Sequence, residues 1–295
     1  MNAPDRLIQG MAEGGDFRII AAQTTNTVET ARSLLDLSPV AADALGRALT
    51  GSLLLARLLA KDVHHRQQYV TLRFEGDGPL GAVIAEANVA GAARGFVENP
   101  VPLDVNLDVG RAIGVGMLSV VRAAPPAGTP YTSQVSLTGS GIAQELTRYL
   151  ASSEQISSAV LLGVLNRREG VAAAGGIVIQ AFPHASEESI ARVEQRIKEA
   201  PPLSTLVEKM PIEDVVTTVL QGCNYKQIDP SFNVPLSYSC TCSRERALAP
   251  LALFPAAELA EMIGQGGTDV TCQFCGRKYR FDGDDLLALT ASPDA

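Results

Sequence analysis

The first 222 residues of this 295-residue chain contain no cysteine, whereas Cys223, Cys240, Cys242, Cys272 and Cys275 all fall in the last quarter. A secreted disulfide scaffold spreads its cysteines through the fold, and an odd total leaves one unpaired, so a local metal or redox site in the cytosol is the better reading. Four of them form a C-x-C pair and a C-x-x-C pair, with Ser243 to Thr271 between. Tetrahedral zinc asks for this pattern: two tight chelating turns brought together by a short intervening fold. Gly276, directly after Cys275, is free to take positive φ and let backbone N–H groups turn toward sulfur. The segment needs such a staple, because Val270, Tyr279 and Phe281 are among its few large apolar side chains and make no core of their own. Structural zinc contributes on the order of 10–16 kcal/mol to folding such lobes.

The rest of the chain is ordinary globular material. Its length exceeds one core, so two domains are the default. A net charge of −8 repels phosphate polyanions and argues against nucleic acid as the main partner. Charges at Asp5, Arg6, Glu13, Asp16 and Arg18 break up the first 18 residues, which leaves no core for a signal peptide and predicts a cytoplasmic protein. Apolar stretches such as Val171–Phe182 and Leu248–Phe254 fall short of the roughly 18 residues a membrane span requires.

Phe17–Thr24 reads as a strand; Thr27–Leu37 and Ser38–Lys61 read as helices, the second opened by Ser38 as N-cap and Pro39 at the first position. Tyr69–Phe74, Ala82–Ala87, Ala93–Val97 and Gly114–Val121 read as strands of an antiparallel sheet, separated by Gly-, Asn- and Pro-rich turns. Ile142–Ser152 reads as helix, and Ser157–Leu165 and Ala172–Ala181 as strands. Strands in series with a few helices predict an α+β fold over residues 1–184. Residues 185–235 then carry short amphipathic faces, Ile190, Val193 and Ile197, and after Pro201-Pro202, Ile212, Val215, Val216, Val219 and Leu220. Helices this short are marginal in water and must bury their stripes on something else, so this is a conditional linker. Residues 236–295 form the small four-cysteine zinc domain, with a helix over Ala256–Ile263 stopped by Gly264.

A static zinc ribbon is the plain alternative for such a site. Against it, C-x-C is uncommon, and with Zn–S near 2.3 Å the sulfurs sit roughly 3.8 Å apart, close enough for neighbouring thiolates to become disulfides. Thiolate is also the form that peroxide or hypochlorous acid attacks, and its oxidation would withdraw the metal's folding energy. Other signals are weaker. Gly76-x-Gly78-x-x-Gly81 leads into a strand instead of a helix and reads as a hairpin turn, not a dinucleotide loop. No Gly-x-x-x-x-Gly-Lys-Ser/Thr loop supports ATP use. His64, His65 and His184 read as solvated loop residues, and Cys223 as a small buried side chain or a resolving thiol. Arg277, Lys278 and Arg280 beside Tyr279 and Phe281 suggest a nucleic-acid patch, yet acidic side chains outnumber basic ones, eight to five, over residues 239–295.

Cys240-Thr-Cys242-Ser-Arg-Glu-Arg246 with Cys272-Gln-Phe-Cys275-Gly276 resembles the redox-switch domain of the 33 kDa heat-shock chaperones of bacteria. Gly76-Asp-Gly-Pro-Leu-Gly81, Gly114-Val-Gly-Met-Leu118, Ser153-Glu-Gln155, Gly163-Val-Leu165 and Ala174-Gly-Gly-Ile-Val-Ile-Gln180 extend the resemblance, in the right order, over nearly the whole chain. The resemblance implies a non-enzymatic, ATP-independent holdase for unfolded client proteins. It further implies a reduced form that is inactive and holds one zinc on Cys240, Cys242, Cys272 and Cys275. Oxidation together with unfolding conditions would form disulfides Cys240–Cys242 and Cys272–Cys275, release the linker and yield an active homodimer. One departure is Gly139-Ser-Gly-Ile-Ala-Gln-Glu145, which lacks acids expected at that helix start. A zinc-ribbon nucleic-acid module would instead show salt-dependent binding, and a thiol-disulfide oxidoreductase would turn over a disulfide substrate.

Overall fold

The computed structural model describes residues 4–60, 67–102, 107–124 and 129–290; His64 and His65 lie outside them. Contacts divide the chain into two units, Met1–Ser239 and Cys240–Ala295. In the first unit the strands are β1 (Arg6–Ala12), β2 (Phe17–Gln23), β3 (Tyr69–Gly76), β4 (Ala82–Asn88), β5 (Ala92–Val97), β6 (Val115–Ala123), β7 (Tyr131–Thr138), β8 (Ser158–Arg167) and β9 (Gly170–Ala181). Three two-residue strands follow, β10 (Lys226–Gln227), β11 (Val234–Pro235) and β12 (Ser237–Tyr238). The helices are α1 (Thr25–Leu35), α2 (Pro39–Leu58), α3 (Val109–Ile113), α4 (Ile142–Ser152), α5 (Glu187–Glu199), α6 (Leu203–Lys209) and α7 (Ile212–Val219).

The α+β reading holds, with the strands divided between two six-stranded sheets. One runs β10-β1-β2-β9-β8 with β11 also on β1, the other β12-β5-β4-β3-β6-β7. Every pairing is antiparallel except β12 on β5. Helix α2 packs on strands of both sheets and is buried nearly all round, which is why its sequence is rich in Ala and Leu, with Asp43 and Arg47 paired on the narrow strip left uncovered. Its start is the one read from sequence: Ser38 Oγ accepts from the Ala41 N–H at 3.4 Å, and Pro39 follows. At Gly176 a Cβ would lie 2.8 Å from Thr50 and 2.9 Å from Leu54, so glycine there admits the close approach of helix to sheet.

Strands β2 and β9 are apolar on both faces because both are covered. Ile20, Ala22 and Val178 join the cluster around α2. Ile19, Ala21, Ile177 and Ile179 meet Val193, Leu206, Ile212, Val215, Val216 and Val219 of α5–α7. Ion pairs tie those helices down: Glu13 to Arg192 at 2.9 Å, Arg167 to Glu208, and Arg6 to Glu213 through two bonds of 2.9 and 2.7 Å.

Helix α4 begins at Gly141 with no side-chain cap. The acid kept at this departure, Glu145, is 2% exposed; its Oε1 accepts from the Thr138 N–H at 2.7 Å and its Oε2 from Arg148 at 2.6 Å. Glu29 on α1 is a comparable brace, accepting from Arg32 at 2.7 and 2.8 Å and from the Val171 N–H at 2.8 Å. Arg32, outweighing the upward push of burial, holds this carboxyl down to about 2. A depressed pKa stabilises the fold above the unfolded value and ceases to as pH falls through the folded one. Because the side chain is about a third exposed, solvent screening limits the gain to about 1 kcal/mol. Glu29→Gln is therefore expected to lose about that much in urea unfolding at pH 7, the gap to the parent closing between pH 4.5 and about 2.

The second unit holds α8 (Arg244–Leu248), α9 (Ala256–Gly264), the hairpin β13 (Thr268–Thr271) and β14 (Lys278–Phe281), and α10 (Gly283–Thr290). Among the described residues its buried apolar cluster is Leu251, Leu259, Phe281 and Leu286. Arg244 lies 4.6 Å over the Phe281 ring and donates to Asp285. Among the described residues no helix is long and apolar enough to cross a membrane.

Candidate metal centre

Cys240 and Cys242 lie in the stretch before α8, where Ser243 caps the helix by accepting from the Arg246 N–H. Cys272 and Cys275 occupy the turn of the β13–β14 hairpin. That turn is closed by Gly276 N–H donating to the Cys272 carbonyl at 2.8 Å and Cys272 N–H donating to the Arg277 carbonyl at 2.9 Å, with Gly276 at φ 68°. The glycine takes the conformation anticipated for it.

Cys240 Sγ lies 3.7 Å from Cys272 Sγ, and Cys242 Sγ lies 3.5 Å from Cys275 Sγ. All four sulfurs fall within 4.8 Å of one another. Sulfurs 2.3 Å from a tetrahedral centre are roughly 3.8 Å apart, so the spacing fits zinc, and an all-thiolate donor set suits it. The chain also supplies donors to the sulfurs: Cys242 N–H to Cys240, Arg277 N–H to Cys275, and the Tyr279 hydroxyl to Cys242 at 3.1 Å. Burial pushes the Cys240 thiol up to about 12, while the Tyr279 hydroxyl brings Cys242 down to about 7. A bound dication would favour the thiolate at all four sulfurs.

In the sequence Tyr279 stands out only as an apolar side chain. Its alternation with Phe281 on β14 is the available signal: Phe281 faces the small core and Tyr279 is its half-buried neighbour two residues back. Cys223 is fully buried in the cluster beneath α5–α7, where burial raises its thiol. His184 is exposed, stacked on Phe182. Gly76, Gly78 and Gly81 fall at the end of β3 and in the turn to β4, not before a helix. In the basic run, Arg280 is engaged with Asp269 and the Gly266 carbonyl.

An α+β body followed by a separate four-thiol lobe defines a metal-ready two-part protein, and comparison with known proteins gives the class. Residues 5–282 match the family model described as Hsp33 protein. A 33 kDa chaperonin of Thermus thermophilus is 44% identical over 299 residues, covering 97% of this chain and 86% of that one. That of Desulforamulus reducens is 38% identical over 294 residues, covering 97% of each. The crystal structure of the Thermotoga maritima 33 kDa chaperonin superposes with a TM-score of 0.86 at 33% identity, covering 97% of this chain and 98% of that one. These relatives are named as chaperonins, not for an enzymatic activity. The chain belongs to the Hsp33 family of chaperones.

Proposed function

We propose that this chain is a redox-regulated, ATP-independent holdase of the cytoplasm, held inactive while four thiolates share one zinc. The observation that carries this reading is the four-sulfur cluster closing a lobe whose buried apolar cluster is four residues. In the proposed organisation residues 1–184 form the chaperone core, 185–235 the linker and 236–295 the switch. Zinc supplies the folding free energy of the switch and keeps the sulfurs ionised. Cys240 with Cys242, and Cys272 with Cys275, each form one S–S bond when oxidised. The two electrons per bond pass to hypochlorous acid, which leaves as chloride and water, or to peroxide, which leaves as water. The paired sulfurs no longer serve as a thiolate donor set, and the lobe loses its staple.

Helices α5, α6 and α7 are 13, 7 and 8 residues long, near or below the length at which helices survive alone. They persist through burial on β2 and β9, so their release bares an apolar sheet face for unfolded clients. Two released chains would pair as the active homodimer. The function needs neither nucleic acid nor membrane, in keeping with the net charge of −8.

The test is light scattering of a thermally unfolding client with zinc release followed in parallel. Hypochlorous acid, or peroxide at raised temperature, should free about one zinc per chain and suppress aggregation without ATP. Oxidised protein that has lost zinc yet never prevents aggregation would show the reading to be wrong.

A further inference from the structure

The four clustered sulfurs are not surrounded alike. Cys240 and Cys275 receive backbone N–H groups, from Cys242 and Arg277, which the chelating turns fix. Cys242 receives a side-chain hydroxyl: Tyr279 Oη lies 3.1 Å from its Sγ. That hydroxyl is held from behind. Tyr279 stands on β14 opposite Val270 of β13, and its ring packs against the cluster of Leu251, Leu259, Phe281 and Leu286. Its strand neighbour Arg280 is drawn elsewhere, to Asp269 and the Gly266 carbonyl. The Arg277 side chain stands beside the same hydroxyl, and negative charge at Cys242 and Cys275 favours its cation. A hydroxyl whose oxygen faces a cation gives its hydrogen more readily, which strengthens the donation to sulfur.

On the zinc-switch reading, on which this rests, we infer that Tyr279 is a positioning residue whose hydroxyl restrains the Cys242 sulfur and so sets how fast peroxide opens the switch. In that step the Cys242 thiolate attacks one peroxide oxygen. The O–O bond breaks, hydroxide leaves, and Cys242 becomes a sulfenic acid. A neighbouring thiolate then forms the S–S bond and displaces a second hydroxide, so both electrons end on the peroxide oxygens. The attack uses a sulfur lone pair, and the Tyr279 O–H draws density from it. A sulfur already held as thiolate by a cation gains nothing in ionisation from this bond, so only the loss of nucleophilicity remains. Nucleophilicity follows basicity with an exponent of about 0.4–0.5, so an outer hydrogen bond that changes a ligand roughly tenfold to hundredfold changes the rate roughly threefold to tenfold.

The test compares the full-length protein with Tyr279→Phe, which keeps the ring against the small core and removes the hydroxyl. Loaded with cobalt(II), the variant should keep the parent's tetrahedral ligand-field bands, with the sulfur-to-cobalt charge-transfer band moved to lower energy. Loosening of the lobe does not give that signature. With zinc bound, peroxide should free the metal from the variant roughly threefold to tenfold faster, while release to a chelator without oxidant rises less. Equal peroxide rates in the two proteins, or an unmoved charge-transfer band, overturn the proposal. A rise matched by the chelator rate overturns it too, since that marks a loosened lobe. So does a variant that holds no cobalt, the hydroxyl then being needed for the lobe itself. A parent that binds no metal, or keeps it under peroxide at raised temperature, defeats the switch reading and this one with it; normal release by the parent alongside any of the earlier failures defeats this one alone.

Discussion

Stripping metal from the reduced protein with a chelator is expected to unfold Cys240–Ala295 while Met1–Ser239 keeps its sheets and helices. The second unit buries Leu251, Leu259, Phe281 and Leu286 and little else. Four buried side chains are too small a core to hold a unit of this size without a staple, and a structural zinc site contributes on the order of 10–16 kcal/mol to folding such a lobe. The first unit draws its stability from two sheets around α2 and does not contain the site. Amide NMR spectra should therefore lose dispersion for the second unit alone. Cys272→Ser should do the same in part, through weakened binding. An apo protein with fully dispersed second-unit signals, or a Cys272→Ser variant with unchanged metal content, would contradict the assignment.

Val216→Asp should release α5–α7 from the sheet and give a holdase that needs no oxidant. Val216 is fully buried against β2 and β9 among Ile212, Val215 and Val219. A carboxylate placed there without a partner costs several kcal/mol, comparable to what a short helix gains by docking. Hydrogen exchange across residues 187–219 should quicken about a hundredfold or more, equivalent to roughly 3 kcal/mol, while zinc content stays at one. Thr217→Asp, one residue on and exposed, should change neither exchange nor aggregation suppression. A folded Val216→Asp protein with exposed linker amides but no effect on client aggregation would remove the linker from the proposed mechanism.

The metal centre and the fold differ in how far sequence alone reveals them. Cys240, Cys242, Cys272 and Cys275 are legible because chelation is local: C-x-C and C-x-x-C place sulfurs within reach whatever surrounds them. Ser38-Pro39 is legible for the same reason, since a cap and a first-turn proline act within four residues. The strand β7, Tyr-Thr-Ser-Gln-Val-Ser-Leu-Thr, is not legible; it is an edge strand with few apolar residues, so alternation is faint. Strand β1 is hidden among the charges of the first 18 residues, and it becomes a buried strand because β2, β10 and β11 complete it.

Sequence alone determined which four cysteines could cluster, the α+β texture, the helix starts with local caps and the need of 187–219 for an outside surface. Each is a property of neighbouring residues, with spacings set by covalent geometry. Tertiary structure alone decided which sheet each strand joined, that α5–α7 lie on β2 and β9, that Tyr279 donates to Cys242, and that the Arg18 side chain donates to the Arg57 carbonyl. Such facts depend on residues as far apart as Arg6 and Glu213, 207 positions. Their pairing follows from burial of whole faces at once, which no local pattern encodes.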